Sequence, residues 1–312
     1  MMNNSYKLIT LLLICLVVFT YLGCAIRDLA NIKYGAHERN VIDFWKVKSD
    51  KPTPVLVHFH GGGFVKGDKR LSRLQKECLK NGISAVSANY RFVKSKDVTL
   101  LEVMHDGARV IQFLRSKAKE WNIDPTRIAL SGGSAGGNMS LWLALHDNLA
   151  DPKSKDSISR FSTRVTCAVA MDAQTSNDVN FIRKNIGGNP SVHRSFPLMY
   201  GVDTIKELEK PKTLKMMEEF SAINHATKDD PPIYLSYHLA PGKGLLSEKT
   251  PTFVSIHSAK FGLLLKEKLL LLGIECHVGY PGNRLKESEL EFLLRHFKIR
   301  ASQVTPPITG GK

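Results

Sequence analysis

The stretch Arg127-Ile-Ala-Leu-Ser-Gly-Gly-Ser-Ala-Gly-Gly-Asn-Met-Ser140 constrains the fold more than any other part of the chain. Arg127 to Ser131 reads as a short buried strand, and Gly136 to Leu149 as a helix with apolar Met139, Leu141, Trp142 and Leu145. Between them lies Gly132-Gly-Ser-Ala-Gly136, a G-x-S-x-G pattern. Small neighbours let the backbone turn sharply from strand to helix and leave the Ser134 hydroxyl exposed. The helix N-terminus beneath it adds partial positive charge in front of the serine. Glycine-rich turns of this kind also serve as packing or phosphate loops, so a second motif has to decide.

That motif is His60-Gly61-Gly62-Gly63-Phe64, directly after the apolar strand Pro54 to Phe59. A run of glycines after a strand can turn its amide hydrogens toward a ligand at little steric cost. In acyl transfer such amides, with the amide that follows the nucleophile (here Ala135), stabilise the developing oxyanion. The plainer reading is an ordinary turn between a strand and a helix.

The two motifs together resemble the hormone-sensitive-lipase-like branch of the α/β-hydrolase superfamily, whose members carry HGGG upstream of GDSAGG. The resemblance covers residues 38 to 298 in element order, and Asn89-Tyr90-Arg91 matches a common strand ending. It implies an α/β-hydrolase fold: a mostly parallel central sheet flanked by helices, with a small cap insertion. It implies Ser134 as nucleophile, Gly62, Gly63 and Ala135 as the oxyanion hole, and no metal or organic cofactor. One departure is that Gly133 stands where the family has Asp.

The rest of the chain alternates strand and helix patterns, as a mostly parallel sheet requires. Strand regions are expected at 37–47, 83–89, 165–171, 233–239 and 274–280. Helices are expected at 71–81, 100–121, 259–272 and 286–298. Residues 174–228 lack sheet rhythm, are rich in turn formers and fit a small lid over the serine. The domain is read as 38–300, preceded by a linker at 24–37 and followed by a flexible tail at 301–312.

The remaining triad members are missing from their family places. No aspartate follows Asp230, and Leu239-Ala-Pro-Gly242 stands where the acid motif is expected. After Tyr280 comes Pro281-Gly-Asn-Arg-Leu285, without a histidine, and His296 lies too far along a helix. A serine without a base is a weak nucleophile. Other loops at the same sheet edge offer replacements: Asp172 as acid and His257 as base, in the order Ser134, Asp172, His257. Glu248 is a second candidate acid and His238 a rival base. Asp172 could instead hold a loop, and His257 could cap the following helix. His60 is expected to hold the glycine loop, while His58, His105, Asp106 and Ser131 read as structural. Two functions therefore stand: a serine esterase acting on small or glycan esters, or a degenerate hydrolase fold that binds a ligand.

At the start, Lys7 is the one charge before the apolar run Leu8 to Phe19, and Tyr21-Leu-Gly-Cys24 resembles a lipobox. Residues 1–23 thus read as a signal peptide of lipoprotein type, with Cys24 lipidated and the protein exported and tethered; the alternative is plain secretion to the periplasm or outside, or an uncleaved anchor. The run is short for a membrane span. Net charge is +15, but Lys and Arg are scattered and no nucleic-acid module accompanies them, so a solvated basic surface is expected. Five cysteines far apart, with no C-x-x-C, argue against a disulfide framework or zinc site of that kind.

Overall fold

The computed structural model describes residues 27–94, 98–189 and 195–299. Residues 1–23, read as a signal peptide, Cys24, and residues 301–312, read as a tail, lie outside the described residues.

Eight strands form one sheet in the order β1-β2-β4-β3-β5-β6-β7-β8. They are β1 (Leu29–Lys33), β2 (Val41–Trp45), β3 (Thr53–Phe59), β4 (Ser84–Ala88), β5 (Ile123–Gly133), β6 (Cys167–Met171), β7 (Ile233–Ser236) and β8 (Cys276–Gly279). β1 and β2 pair antiparallel at one edge, and from β4 to β8 every pairing is parallel. The fold is that of an α/β hydrolase. Its central strands are buried on both faces, which explains near-continuous apolar runs such as Val55 to Val57 rather than alternation.

The helices are α1 (Arg73–Lys80), α2 (Leu100–Ser116), α3 (Ala118–Trp121), α4 (Ala135–Leu145), α5 (Val179–Asn185), α6 (Ser195–Met199), α7 (Pro211–Glu219), α8 (Ala222–His225), α9 (Thr252–Ile256), α10 (Lys260–Leu271) and α11 (Glu289–His296). Capping boxes start α1 (Ser72 with Gln75), α2 (Thr99 with Glu102) and α11 (Ser288 with Glu291). α4 is buried on every side, so it carries almost no polar face. The stretch between β6 and β7 holds short helices α5 to α8 where the sequence has no sheet rhythm.

Two differences from the sequence reading have clear causes. The segment read as a linker contains β1. It is a mostly exposed five-residue edge strand, so it shows no apolar signature. It is anchored instead by the buried Asp43, which accepts from the Asn31 amide at 2.9 Å and pairs with Arg27 and Lys69. The single helix expected at 100–121 is two, because the chain turns at Lys117 and ends in left-handed Asn122. Cys78, Cys167 and Cys276 are free and buried, and burial raises the pKa of each thiol.

Register positions the site. Phe59 at the end of β3 pairs with Gly132, Gly133 pairs with Met171, and Met171 pairs with Ser236. The carboxyl ends of β3, β5, β6 and β7 are thus level, and the loops leaving them meet at one edge.

Candidate active site

Ser134 sits at the turn from β5 to α4 with φ 51° and ψ −119°, a strained backbone for a residue with a side chain. Its amide donates to Met171 O at 2.8 Å, which ties the turn to the neighbouring strand. The turn is tight because Gly136 packs on β3: a Cβ there would stand 2.1 Å from Phe59 O.

His257 follows α9 and is 8% exposed. Its Nε2 lies 3.0 Å from Ser134 Oγ, and its Nδ1 lies 3.0 Å from Phe253 O. A carbonyl only accepts, so Nδ1 carries the ring proton and donates to Phe253 O. Nε2 then presents its lone pair, and the serine hydroxyl donates to it. Burial lowers the His257 pKa, against a weaker opposing pull from the Asp172 charge, so the neutral base is favoured near pH 7. The Phe253 ring stands edge-on to the imidazole at 4.6 Å, and Phe253 is 63% exposed at the mouth.

Both ring nitrogens of His257 are therefore engaged without a carboxylate. Asp172 ends β6 in a left-handed conformation, φ 47°. Its Oδ1 accepts from the His238 amide at 2.8 Å, and its Oδ2 lies 2.6 Å from His238 Nδ1. Glu248 is exposed and bonds neither nitrogen of His257. Sequence reasoning missed Phe253 as a partner, since a main-chain carbonyl leaves no mark on residue type.

The glycine loop faces the serine. Gly62 has φ 116°, and a Cβ there would stand 2.1 Å from Lys66 O, so only glycine fits. Among the described residues, no protein acceptor takes the amides of Gly62, Gly63 or Ala135. His60 holds the loop: its Nδ1 donates to Gly61 O at 2.8 Å, and its Nε2 takes a bond from Arg39 at 3.3 Å. Its ring stacks on Tyr90, whose hydroxyl donates to His60 O at 2.5 Å.

Behind the site, His58 Nδ1 bonds Ser131 Oγ at 3.0 Å, and burial lowers the His58 pKa to about 4. Asp106 pairs with Arg91 at 2.8 Å, away from the serine. Two cavities meet at Ser134 and His257. One of about 480 Å³ is lined by Gly62, Gly63, Lys66 and Thr252. The other, about 640 Å³, runs past His58, Arg70, Arg73 and Asp172.

A strand–serine–helix turn on this sheet, with a histidine on the hydroxyl and a glycine loop opposite, defines an α/β hydrolase of the serine type. The chain belongs to the BD-FAE family, whose model matches residues 42–238. It is 29% identical over 220 residues to the probable carboxylic ester hydrolase LipM of Mycobacterium tuberculosis, covering 67% of this chain and 48% of that protein. It is 28% identical over 132 residues to the versiconal hemiacetal acetate esterase of Dothistroma septosporum, over 42% of this chain and 38% of the other. The chain thus spans about half or less of these relatives' lengths. Among solved structures, an acetyl ester-xyloside bifunctional hydrolase from Caldicellulosiruptor lactoaceticus matches with TM-score 0.60 and 20% identity, over 88% of this chain and 92% of that one. A truncated carbohydrate esterase from gut microbiota matches with TM-score 0.66 and 16% identity, over 88% and 99%.

Proposed function

We propose that this protein is a serine carboxylic-ester hydrolase working through an acyl-enzyme on Ser134. One observation carries the reading: the hydroxyl of a strained elbow serine donates to the bare nitrogen of a buried histidine at 3.0 Å. His257 takes the serine proton as Oγ attacks the ester carbonyl. The amides of Gly62, Gly63 and Ala135 receive the oxyanion, each such donor contributing about 3 kcal/mol in the transition state. Protonated His257 gives its proton to the leaving alcohol, and then draws one from the water that hydrolyses the acyl-enzyme. Phe253 O keeps the ring in the productive tautomer. Asp172 acts at a distance in this scheme: its charge favours the imidazolium formed during attack.

The substrate class is a small or glycan ester, in keeping with the acetyl ester and carbohydrate esters named for the similar structures. Export and lipid tethering through Cys24 belong to the same proposal, and rest on the apolar run and the Tyr21–Cys24 motif. Palmitate labelling of cells expressing wild type and Cys24→Ser tests that part. Fluorophosphonate labelling tests the chemistry. A stoichiometric adduct on Ser134, absent in Ser134→Ala, is expected. Well-folded protein that takes no label would instead be a binding protein on a hydrolase fold.

A further inference from the structure

Away from the esterase site, three side chains converge from three helix ends. His146 caps the end of α4, Glu219 ends α7 and His225 ends α8. Their ligating atoms all lie within 4.8 Å of one another.

The hydrogen bonds make this more than proximity. His146 Nδ1 lies 3.0 Å from Asp147 O, so it carries the ring proton. In the neutral ring, Nε2 is then a bare lone pair, and it faces the carboxylate oxygen Glu219 Oε1 at 3.2 Å. A carboxylate only accepts, so this contact is held by a positive partner: a proton on Nε2, or a metal ion shared by the two groups. His225 Nε2 stands 3.8 Å from the same Oε1. Zinc with nitrogen and oxygen ligands at about 2.0–2.1 Å in a tetrahedron sets its ligand atoms about 3.3 Å apart. The two measured separations bracket that value.

The surroundings hold the ligands in place. The buried Trp142 ring lies 4.3 Å from the His146 ring and edge-on to His225 at 6.2 Å, and its Nε1 donates to Glu219 O at 2.9 Å. The Asp147 carbonyl on His146 Nδ1 is the kind of outer partner that fixes a metal-binding tautomer. The nearby cation Arg164 is engaged by Asp147 and Asp230. His225 Nε2 bonds Glu219 O, so binding requires it to break that bond and, in the neutral ring, to move its proton from Nε2 to Nδ1 through solvent.

We propose that His146, Glu219 and His225 bind a divalent transition metal, zinc by preference, with water as fourth ligand. The metal joins the carboxyl end of the serine's own helix to the helices inserted between β6 and β7. It is structural, and independent of the esterase reading.

The test is calorimetric titration of the chelator-stripped full chain with zinc sulfate, with each variant's fold checked by circular dichroism. One tight equivalent is expected, weakened at least about tenfold in His146→Gln, His225→Gln and the exposed-site variant Glu219→Gln. Cobalt(II) should give the visible absorption of a four-coordinate site in wild type and lose it in these variants. A second cluster, Glu275, His277 and Glu287, provides the control, because Arg295 already pairs with both of its carboxylates. His277→Gln should bind normally. Absence of tight binding, unchanged binding in folded His146→Gln and His225→Gln, or loss confined to His277→Gln would each overturn the assignment.

Discussion

Asp172 Oδ2 stands 2.6 Å from His238 Nδ1, so the carboxylate whose charge acts on the proposed base is held by a different histidine. His257 is oriented by Phe253 O instead. This separates two jobs that a triad acid usually does together, fixing the tautomer and supplying charge.

Asp172→Asn should therefore cost much less than the loss of about 10⁴ in kcat seen when a bonded triad acid is neutralised. A fall of roughly tenfold is expected, since the Phe253 carbonyl still sets the tautomer. The acid limb of the kcat/KM profile should move to lower pH, because the charge that raises the His257 proton affinity is gone. Steady-state hydrolysis of 4-nitrophenyl acetate from pH 4 to 9 measures both. A loss near 10⁴ would mean that Asp172 reaches His257 during turnover.

In the wild-type profile the sign is fixed by burial. His257 must be neutral to act as base, and burial favours that form, so its folded pKa lies below 6.5. Activity should rise as pH climbs through that lowered value and be flat by pH 7. A limb above 6.5 in the free enzyme would contradict the buried setting of this ring.

Gly62→Ala probes the oxyanion loop. The φ of 116° and a Cβ 2.1 Å from Lys66 O force the loop to shift. A loss of roughly 10²–10³ in kcat is expected, the cost of one oxyanion donor, together with a lowered melting temperature from the strained backbone. Unchanged kcat would remove Gly62 from the oxyanion hole.

How far residue types alone reach is clear from these positions. Gly132 to Gly136 and His60 to Phe64 announce elbow and loop, because each geometry admits few residue types. The parallel strands announce themselves through runs such as Val55 to Val57, buried on both sides. β1 stays hidden, because an edge strand anchored by Asp43 needs no apolar side chains of its own. The order Ser134, Asp172, His257 is legible, but not which partner His257 takes. Phe253 serves through its main chain, and nothing in the sequence tells Asp172 to face His238. His146, Glu219 and His225 are separated by 73 and then 6 positions, so no spacing motif signals them.

The last prediction concerns stability. His58 bonds Ser131 between β3 and β5, and burial lowers its pKa from 6.5 to about 4. The unfolded chain then binds a proton that the folded protein refuses, so stability falls as pH drops from 6.5 toward 4. A tenfold change in proton affinity is worth about 1.4 kcal/mol, which caps the contribution at about 3 kcal/mol by pH 4. His58→Gln removes the titrating ring, so its urea-unfolding free energy should lose that much less between pH 7 and pH 4 than wild type. The variant itself should be weaker at pH 7, because the Ser131 bond and the packing of the ring are disturbed. Equal pH slopes in the two proteins would show that His58 is charged in the folded state, and that the space between β3 and β5 is wetter than its packing indicates.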